Sequence, residues 1–422
     1  MDTNIFKKYF YLSLIEHSQI FNRKKLFFHF FLYLYFIKVY SMKRKISFIS
    51  LLFLLIVNVV FAQFENARVS VLTCGSGSEL FESFGHTAIR VCDTTQNLDV
   101  VFNYGVFEFE DFFYLKFAQG KLNYKLDASS FEYFMHEYSF YGRYVYEQVL
   151  NLYPQEKQTF IHLIEENYKP ENRYYQYDFF DDNCATRVRD IIAKSLGNRS
   201  FPSSCSTKTE NSLRELFLPY TRNFLWWRLG IDIALGSVAD RKASVWDCMY
   251  LPDDLKKQLD TTILTNTTTT LVKSTYILLK QTKVQHYPSL VSPDTVFWFL
   301  LFFVVLLTFA EWKTKKYFKW IDVFLFLAAG LVSFLVIYLW FISDHSATKG
   351  NWNIIWANPL FIYVLFRLQK TQFLIIYILA TCLLGFLVGF WFLPQHFNTA
   401  FIPISLILLV RVLMLVYRKG NS

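Results

Sequence analysis

The chain has 422 residues, 53% of them hydrophobic and 20% aromatic, with a formal net charge of +9. That is more apolar than an ordinary soluble protein and long enough for two or three domains. The basic excess lies in the first forty-five positions and in short loops between apolar runs, a pattern of membrane topology signals and not of a phosphate-binding groove, so nucleic acid is not expected as a partner.

Residues 1–41 read as an upstream extension, whose apolar run 26–37 is shorter than the ~20 residues a helix needs to cross a bilayer. Residues 42–62 have the parts of a secretory signal peptide: basic Lys43, Arg44 and Lys45, an apolar stretch 46–60, and the site Val60-Phe61-Ala62. The mature chain is expected to begin near Gln63; an uncleaved anchor gives the same orientation. Residues 63–290 read as an exported α+β domain. ARVSVLTCG (67–75) and HTAIRVCD (86–93) alternate as strands do, 94–97 is a turn, and VVFNYG (100–105) returns as the next strand. Segments 131–138 and 154–167 carry apolar residues at helical spacing, and a further helix follows Cys184. The threonine-rich, weakly patterned stretch 261–286 reads as a connector.

Five apolar segments follow within 295–417, at 295–310, 323–343, 354–366, 373–393 and 401–417. With the α+β domain outside, the inner loops hold Lys313, Lys315, Lys316 and Lys319, then Arg367 and Lys370, then Arg418 and Lys419. The outer loops hold one lysine, Lys349. The asymmetry obeys the positive-inside rule and favours an all-α bundle of five transmembrane helices, the third being short and interrupted by Asn358-Pro359. Arg411, inside the last segment, is expected to snorkel to the cytoplasmic face.

The six cysteines are too scattered for a disulfide scaffold, and no CxxC pair suggests a metal; no cofactor is implied. A Cys205–Cys248 bridge is conceivable in an exported domain, and Cys74 reads as a buried strand residue. Cys184 differs. In DFFDDNCATRVRDIIAKSLG (178–197) it follows Asp181, Asp182 and Asn183, natural N-cap residues, and precedes Val188, Ile191, Ile192 and Leu196 at helical spacing. First-turn amides and the helix dipole there favour a thiolate. The candidate base is His86, preceded by Gly85, which permits close backbone approach; a hydrogen-bonded structural histidine is the alternative. A hairpin turning at 94–97 sets residues 103–105 opposite His86, so Asn103 can orient the imidazole, with Tyr104 the adjacent choice. Arg187, one turn beyond Cys184, and Asp344 and His345, with Asn351 and Asn353, are candidates for binding a lipid head group. The alternatives are a solvated helix charge and polar interface residues.

The order histidine strand, polar strand, cysteine helix is a circular permutation of the papain arrangement and resembles the permuted NlpC-type thiol enzymes, whose relatives include lecithin:retinol acyltransferase. A narrower resemblance is carried by TCGSGSELFESFGHTAIRV (73–91), FNYGVFEF (102–109), YYQYDFFDDNCATRVRDII (174–192) and WRLGIDIALGSVADRKASVWDCMYLPDDL (227–255). These look like the periplasmic domain of the Lnb-type lipoprotein N-acyltransferases of Bacteroidota, and the tail with DHSATKGNWNIIWANPL (344–360) is similar to theirs. The resemblance covers nearly everything after the signal and matches His86 and Cys184 to the catalytic pair. It implies a membrane phospholipid as acyl donor and the N-terminus of a diacylated lipoprotein as acceptor. Chemistry supports the same reading: outside the inner membrane there is no ATP or acyl-CoA, so the lipid itself must supply the acyl group. Cys184 would form a thioester, its own amide serving as one oxyanion donor, and an S-diacylglyceryl cysteine α-amine would accept the chain. Two other readings remain. The same thiol could serve a phospholipase or cell-wall amidase, or the chain could be a membrane sensor without chemistry.

Overall fold

The computed structural model describes residues 66–79, 82–108, 111–282, 291–368 and 372–420; the expected extension and signal peptide lie outside them. Strands β1 (Arg68–Cys74), β2 (His86–Asp93), β3 (Leu98–Val106), β4 (Asn123–Ser130), β5 (Val145–Leu150) and β6 (Tyr174–Gln176) belong to one antiparallel sheet. The ribbon β7 (Lys208–Ser212) and β8 (Lys242–Ser244) is separate, and β9 (Val272–Leu279) closes the main sheet in the order β6-β4-β3-β2-β1-β5-β9. β9 falls in the stretch expected to be a connector. It pairs only with β5 and leaves Tyr276 and Ile277 exposed, so the sequence lacks the alternation of a half-buried strand.

Between the strands come α1 (Phe113–Gln119), α2 (Phe131–Phe140), α3 (Pro154–Tyr168), α4 (Cys184–Ser195), α5 (Leu213–Phe217), α6 (Leu225–Ala234), α7 (Val245–Cys248) and α8 (Pro252–Thr261). Helix α2 lays Phe134 and Tyr138 on the sheet against Leu72, Cys74, Ala88, Val101 and Val145. Helix α4 packs on β2, β3 and α3, with Val188, Ile191 and Ile192 buried. All six cysteines are free thiols, so the conceivable Cys205–Cys248 bridge is not made.

The helical part comprises α9 (Pro293–Thr314), α10 (Lys319–Phe341), α11 (Leu360–Phe366), α12 (Phe373–Gly389) and α13 (Phe401–Gly420). Among the described residues three of these, α9, α10 and α13, are long and apolar enough to cross a bilayer, and α12 is a shorter apolar helix. The expected third span is not one helix. A 3-10 turn at Trp352–Ile355 and the seven-residue α11 replace it, because Pro359 lacks an amide and the Asn358 side chain caps Leu360 instead (3.0 Å). Arg411 also departs from expectation. It is fully buried and does not snorkel: its guanidinium donates to Asp322 (2.6 Å), Glu311 (2.5 Å) and Thr308 (2.8 Å), tying α13 to α9 and α10. A charge buried in apolar surroundings is tolerated because opposite charge holds it, with all three guanidinium nitrogens hydrogen-bonded.

The two parts meet at the end of α6. A helix leaves its last carbonyls without partners, and here the outer loops of the helical part supply them. Asn351 donates to the Ile233 and Ala234 carbonyls, Asn353 to that of Asp232, and Gln395 to that of Leu235. Asp232 is itself buried between Arg214 (2.8 Å) and Asn398 (2.9 Å). The following Gly236 has to be glycine, since a methyl group there would lie 1.9 Å from the Lys349 carbonyl oxygen.

Replacing Arg411 by Met strands two carboxylates among apolar helices. Loss of one partner of such a buried cluster costs about 3–5 kcal/mol. The detergent-solubilised variant should therefore melt well below the parent, whereas replacing Arg411, Glu311 and Asp322 together by apolar residues should restore most of the loss.

Candidate active site

The site is built where β3 leaves β2. Their pairing runs from Asp93↔Leu98 to Ala88↔Asn103, and β3 then shifts register against β4 between Asn103 and Val106. Gly105, at φ 88°, makes the departure possible, a conformation side chains rarely adopt. Beyond the Ala88 pair β3 no longer covers the edge of β2, and there the Thr87 backbone amide lies near enough to Cys184 to favour its thiolate. A Cβ at residue 105 would stand 3.8 Å from Cys184 Cβ and 3.9 Å from Tyr175 Oη, so the glycine keeps the space beside the thiol clear.

Asn183, the last of the three expected cap residues, is the N-cap of α4. Its Oδ1 accepts from the Ala185 (2.8 Å) and Thr186 (3.0 Å) amides, and its Nδ2 donates to the Phe179 and Tyr250 carbonyls. Asp178 closes the preceding loop by accepting from the Phe180 and Asp181 amides. Phe84, two residues before His86, packs edge-on against Phe179, five before Cys184, with centroids 5.0 Å apart. The apolar contact draws the histidine and cysteine segments together.

His86 is half-buried and its Nε2 lies 3.2 Å from Asn103 Oδ1. A carbonyl oxygen can only accept, so Nε2 carries the proton and Nδ1 keeps its lone pair. Burial, and then the nearby Arg143 charge, lower the imidazole to about 4, against the Asn103 hydrogen bond. Burial also pushes the Cys184 thiol up, more than the amides of Thr87, Ala185 and Cys184 pull it down. The thiolate expected from the helix terminus is therefore not the resting state. The resting site is a neutral thiol and a neutral imidazole, because desolvation outweighs the first-turn amides. Cys74, opposite His86 on β1, is pushed up to about 12 by burial.

The remaining candidates are placed differently. Arg187 is gripped by Asp182 through two hydrogen bonds (2.5 and 2.7 Å) and lies 3.7 Å over the Tyr175 ring. Asp344 and His345 sit in the outer loop after α10. The Asp344 amide donates to the Gln119 carbonyl and its side chain is exposed, while His345 Nε2 donates to the Phe117 carbonyl (2.6 Å). Asn351 and Asn353 are the caps of α6. Sequence reasoning missed three groups. Arg143 bonds the Gly75 carbonyl and Glu82 beside His86. Asp178 reaches Ser346 in the outer loop (2.6 Å). Tyr175 flanks the thiol. Only Asp178 had a signal, being a loop acid just before the helix.

From Tyr175 an aromatic wall runs through Tyr124 and Phe107 to Phe113 at the start of α1. That helix turns Leu115 (52% exposed) outward, with Phe112 (75%) just before its first residue, beside the outer loop that holds His345. Among the described residues no group of three metal-ligating side chains is gathered.

Residues 60–214 match the family model of the Lnb N-terminal periplasmic domain, and residues 285–421 match that of the Lnb transmembrane domain. No curated protein and no solved structure gives a match. The chain is thus a membrane protein with a periplasmic domain.

A neutral resting pair has a measurable consequence. Alkylation of Cys184 by iodoacetamide should rise with pH through a midpoint above that of an ordinary thiol, ~8.5. A plateau of reactivity beginning near pH 5 would reveal a thiolate–imidazolium pair and contradict this electrostatic account.

Proposed function

Because the chain belongs to the Lnb family of lipoprotein N-acyltransferases, we propose that Cys184 carries a fatty acyl chain from a membrane phospholipid to the α-amine of a diacylated lipoprotein, at the periplasmic face of the inner membrane. The observation that supports this reading is an imidazole on β2, oriented by Asn103 and one residue before the Thr87 amide that acts on Cys184, whose helix begins at that cysteine and packs on β2 and β3.

The chemistry balances with these groups alone. Cys184 gives its proton to His86 Nδ1 as the sulfur attacks the ester carbonyl carbon, whose π electrons move to oxygen. Collapse of the tetrahedral adduct expels the lysophospholipid alkoxide, which takes the proton back from His86 and leaves a thioester. The lipoprotein amine then attacks the thioester. With a pKa of roughly 7.7–8.0, a useful fraction of that amine is unprotonated near neutral pH. His86 accepts the proton of the attacking amine and returns it to the departing sulfur, so amide and free thiol are formed. A base whose affinity for protons is already depressed stays available throughout, and Asn103 keeps its second nitrogen from competing.

A lipid donor, in preference to a cell-wall amine, is supported by the exposed apolar side of α1 at the outer loop and by the aromatic wall leading inward from it.

Full-length protein in vesicles of phosphatidylethanolamine with a radiolabelled acyl chain should acquire hydroxylamine-labile label on the Cys184 peptide. Cys184→Ser should acquire none, and His86→Ala should acquire it about 10²–10⁴-fold more slowly. Adding a diacylated lipopeptide should move the label to its N-terminus. Release of the label as free fatty acid with no transfer would instead indicate a phospholipase, and absence of any thioester would defeat the reading.

A further inference from the structure

The first oxyanion donor expected at this site is the Cys184 amide; the second has no counterpart in the motifs. We infer that it is the Tyr175 hydroxyl, which binds the carbonyl oxygen of the acyl group as that group is attacked by, and then attached to, Cys184. This inference rests on the acyl-transfer reading above.

Tyr175 is 8% exposed, and its Oη is buried with no hydrogen-bond partner among the described residues. Burying a hydroxyl unpaired is unfavourable, and native proteins seldom leave one so without a use. Neighbouring tyrosines find partners: Tyr104 accepts from Asn167 (2.8 Å), Tyr250 donates to the Leu213 carbonyl, and Tyr144 and Tyr220 both donate to Asp253. Tyr175 is also firmly held. Its strand pairs Tyr175 with Tyr124, and the Arg187 guanidinium covers one ring face at 3.7 Å, fixed in turn by Asp182. A cation on the ring draws electron density from the phenol and makes its O–H a better donor.

The hydroxyl points to the space that glycine leaves open. Tyr175 Oη and Cys184 Cβ both lie within 4 Å of the point where a residue-105 Cβ would stand, and nothing of Gly105 fills it. A carbonyl group bonded to the Cys184 sulfur fits between them. As the sulfur attacks, the carbonyl π pair moves onto oxygen and that oxygen accepts from the Tyr175 O–H. The hydroxyl keeps its proton. When the adduct collapses the pair returns to the C=O bond, and the alkoxide leaves with the His86 proton. An oxyanion donor placed beforehand needs no reorganisation when charge develops.

The test is Tyr175→Phe in the full-length protein, in phosphatidylethanolamine vesicles carrying a ¹³C-carbonyl acyl chain. Single-turnover thioester formation should slow about 10²-fold, the loss typical of one oxyanion donor, with half-saturation in donor lipid little changed. The ¹³C thioester carbonyl stretch should shift to higher frequency, since the bond to oxygen is no longer weakened by a donor. The variant should melt no lower than wild type, because only an unpaired hydroxyl is lost. Thioester formation at the wild-type rate, or an unmoved carbonyl band, would overturn the inference while leaving the acyl-transfer reading intact. A slow variant that melts lower with its carbonyl band unmoved would make the hydroxyl structural and overturn it too. If wild-type protein forms no thioester, both fall.

Discussion

Asn183 uses its whole side-chain amide. Two backbone N–H groups of α4 converge on Oδ1, and Nδ2 reaches the carbonyls of Phe179 and Tyr250, the second 67 positions along the chain. One buried side chain thereby fixes the start of the cysteine helix to the loop before it and to the segment entering α8. Any rotation of α4 about its axis would leave four backbone groups unpaired in the interior, each a real loss in free energy. The direction in which Cys184 leaves the helix is set by that constraint, and the slot it enters is set by a second one, the departure of β3 at Gly105. The apolar contact of Phe84 with Phe179 closes the arrangement from the other side.

The electrostatics follow from the same burial. A thiolate at a helix terminus gains from several amides, but only where solvation is not lost, and here it is largely lost. Arg143 adds to the effect by disfavouring a proton on His86. Thiol and imidazole are thus uncharged at rest, and under the proposed reading charge develops only when a carbonyl carbon arrives to take the electron pair. For a thiol facing an oxidising compartment this has a further benefit, since oxidation and alkylation follow the thiolate fraction. The cost is that all stabilisation of developing charge must come from donors already in place, which makes an unpaired hydroxyl beside the sulfur chemically significant.

How far the sequence could be read depends on the range of the interactions involved. β2 has its expected bounds, and the 94–97 turn is where alternation breaks, with Asn97 at φ 52°. Counting across that hairpin brought residues 103–105 near His86, since strand register is local; Asn103 pairs with Ala88, and its side chain reaches back to the imidazole. The Asn183 cap was also legible, being encoded within four residues. What escaped is non-local. Arg411 finds its carboxylates 89 and 100 positions away, and hydropathy cannot tell a paired charge from a stranded one. The third apolar segment has the composition of a span, but Asn358-Pro359 breaks its backbone ladder, and its outer turn follows amides that serve α6. Edge strand β9 has one neighbour and so carries little pattern. Tyr175 sits in the run YYQY, where nothing distinguishes the one ring whose hydroxyl stays unpaired.

The junction between the two parts bears on how a lipid could reach the sulfur. The α6 carbonyls are capped by Asn351, Asn353 and Gln395, and Gly236 brings the backbones into contact, so the thiol domain is seated on the membrane domain by a polar, well-satisfied interface. Leu229 and Ile233 of α6 join the helical core on the same side, while Trp226 and Trp227 remain exposed as interfacial aromatics do. Under the proposed reading this seating answers an energetic problem. Drawing an acyl chain from a bilayer into water costs roughly 0.8 kcal/mol for each methylene, which over a whole chain would exceed what a thioester site could recover in binding. A domain held against the outer surface, with α1 turned toward lipid and aromatic rings leading from Phe113 to Tyr175, lets the chain exchange one apolar environment for another. The carbonyl can then reach Cys184 while most of its hydrocarbon never meets water, and the polar interface at α6, by fixing the height of the thiol above the membrane, is what makes that exchange geometrically possible.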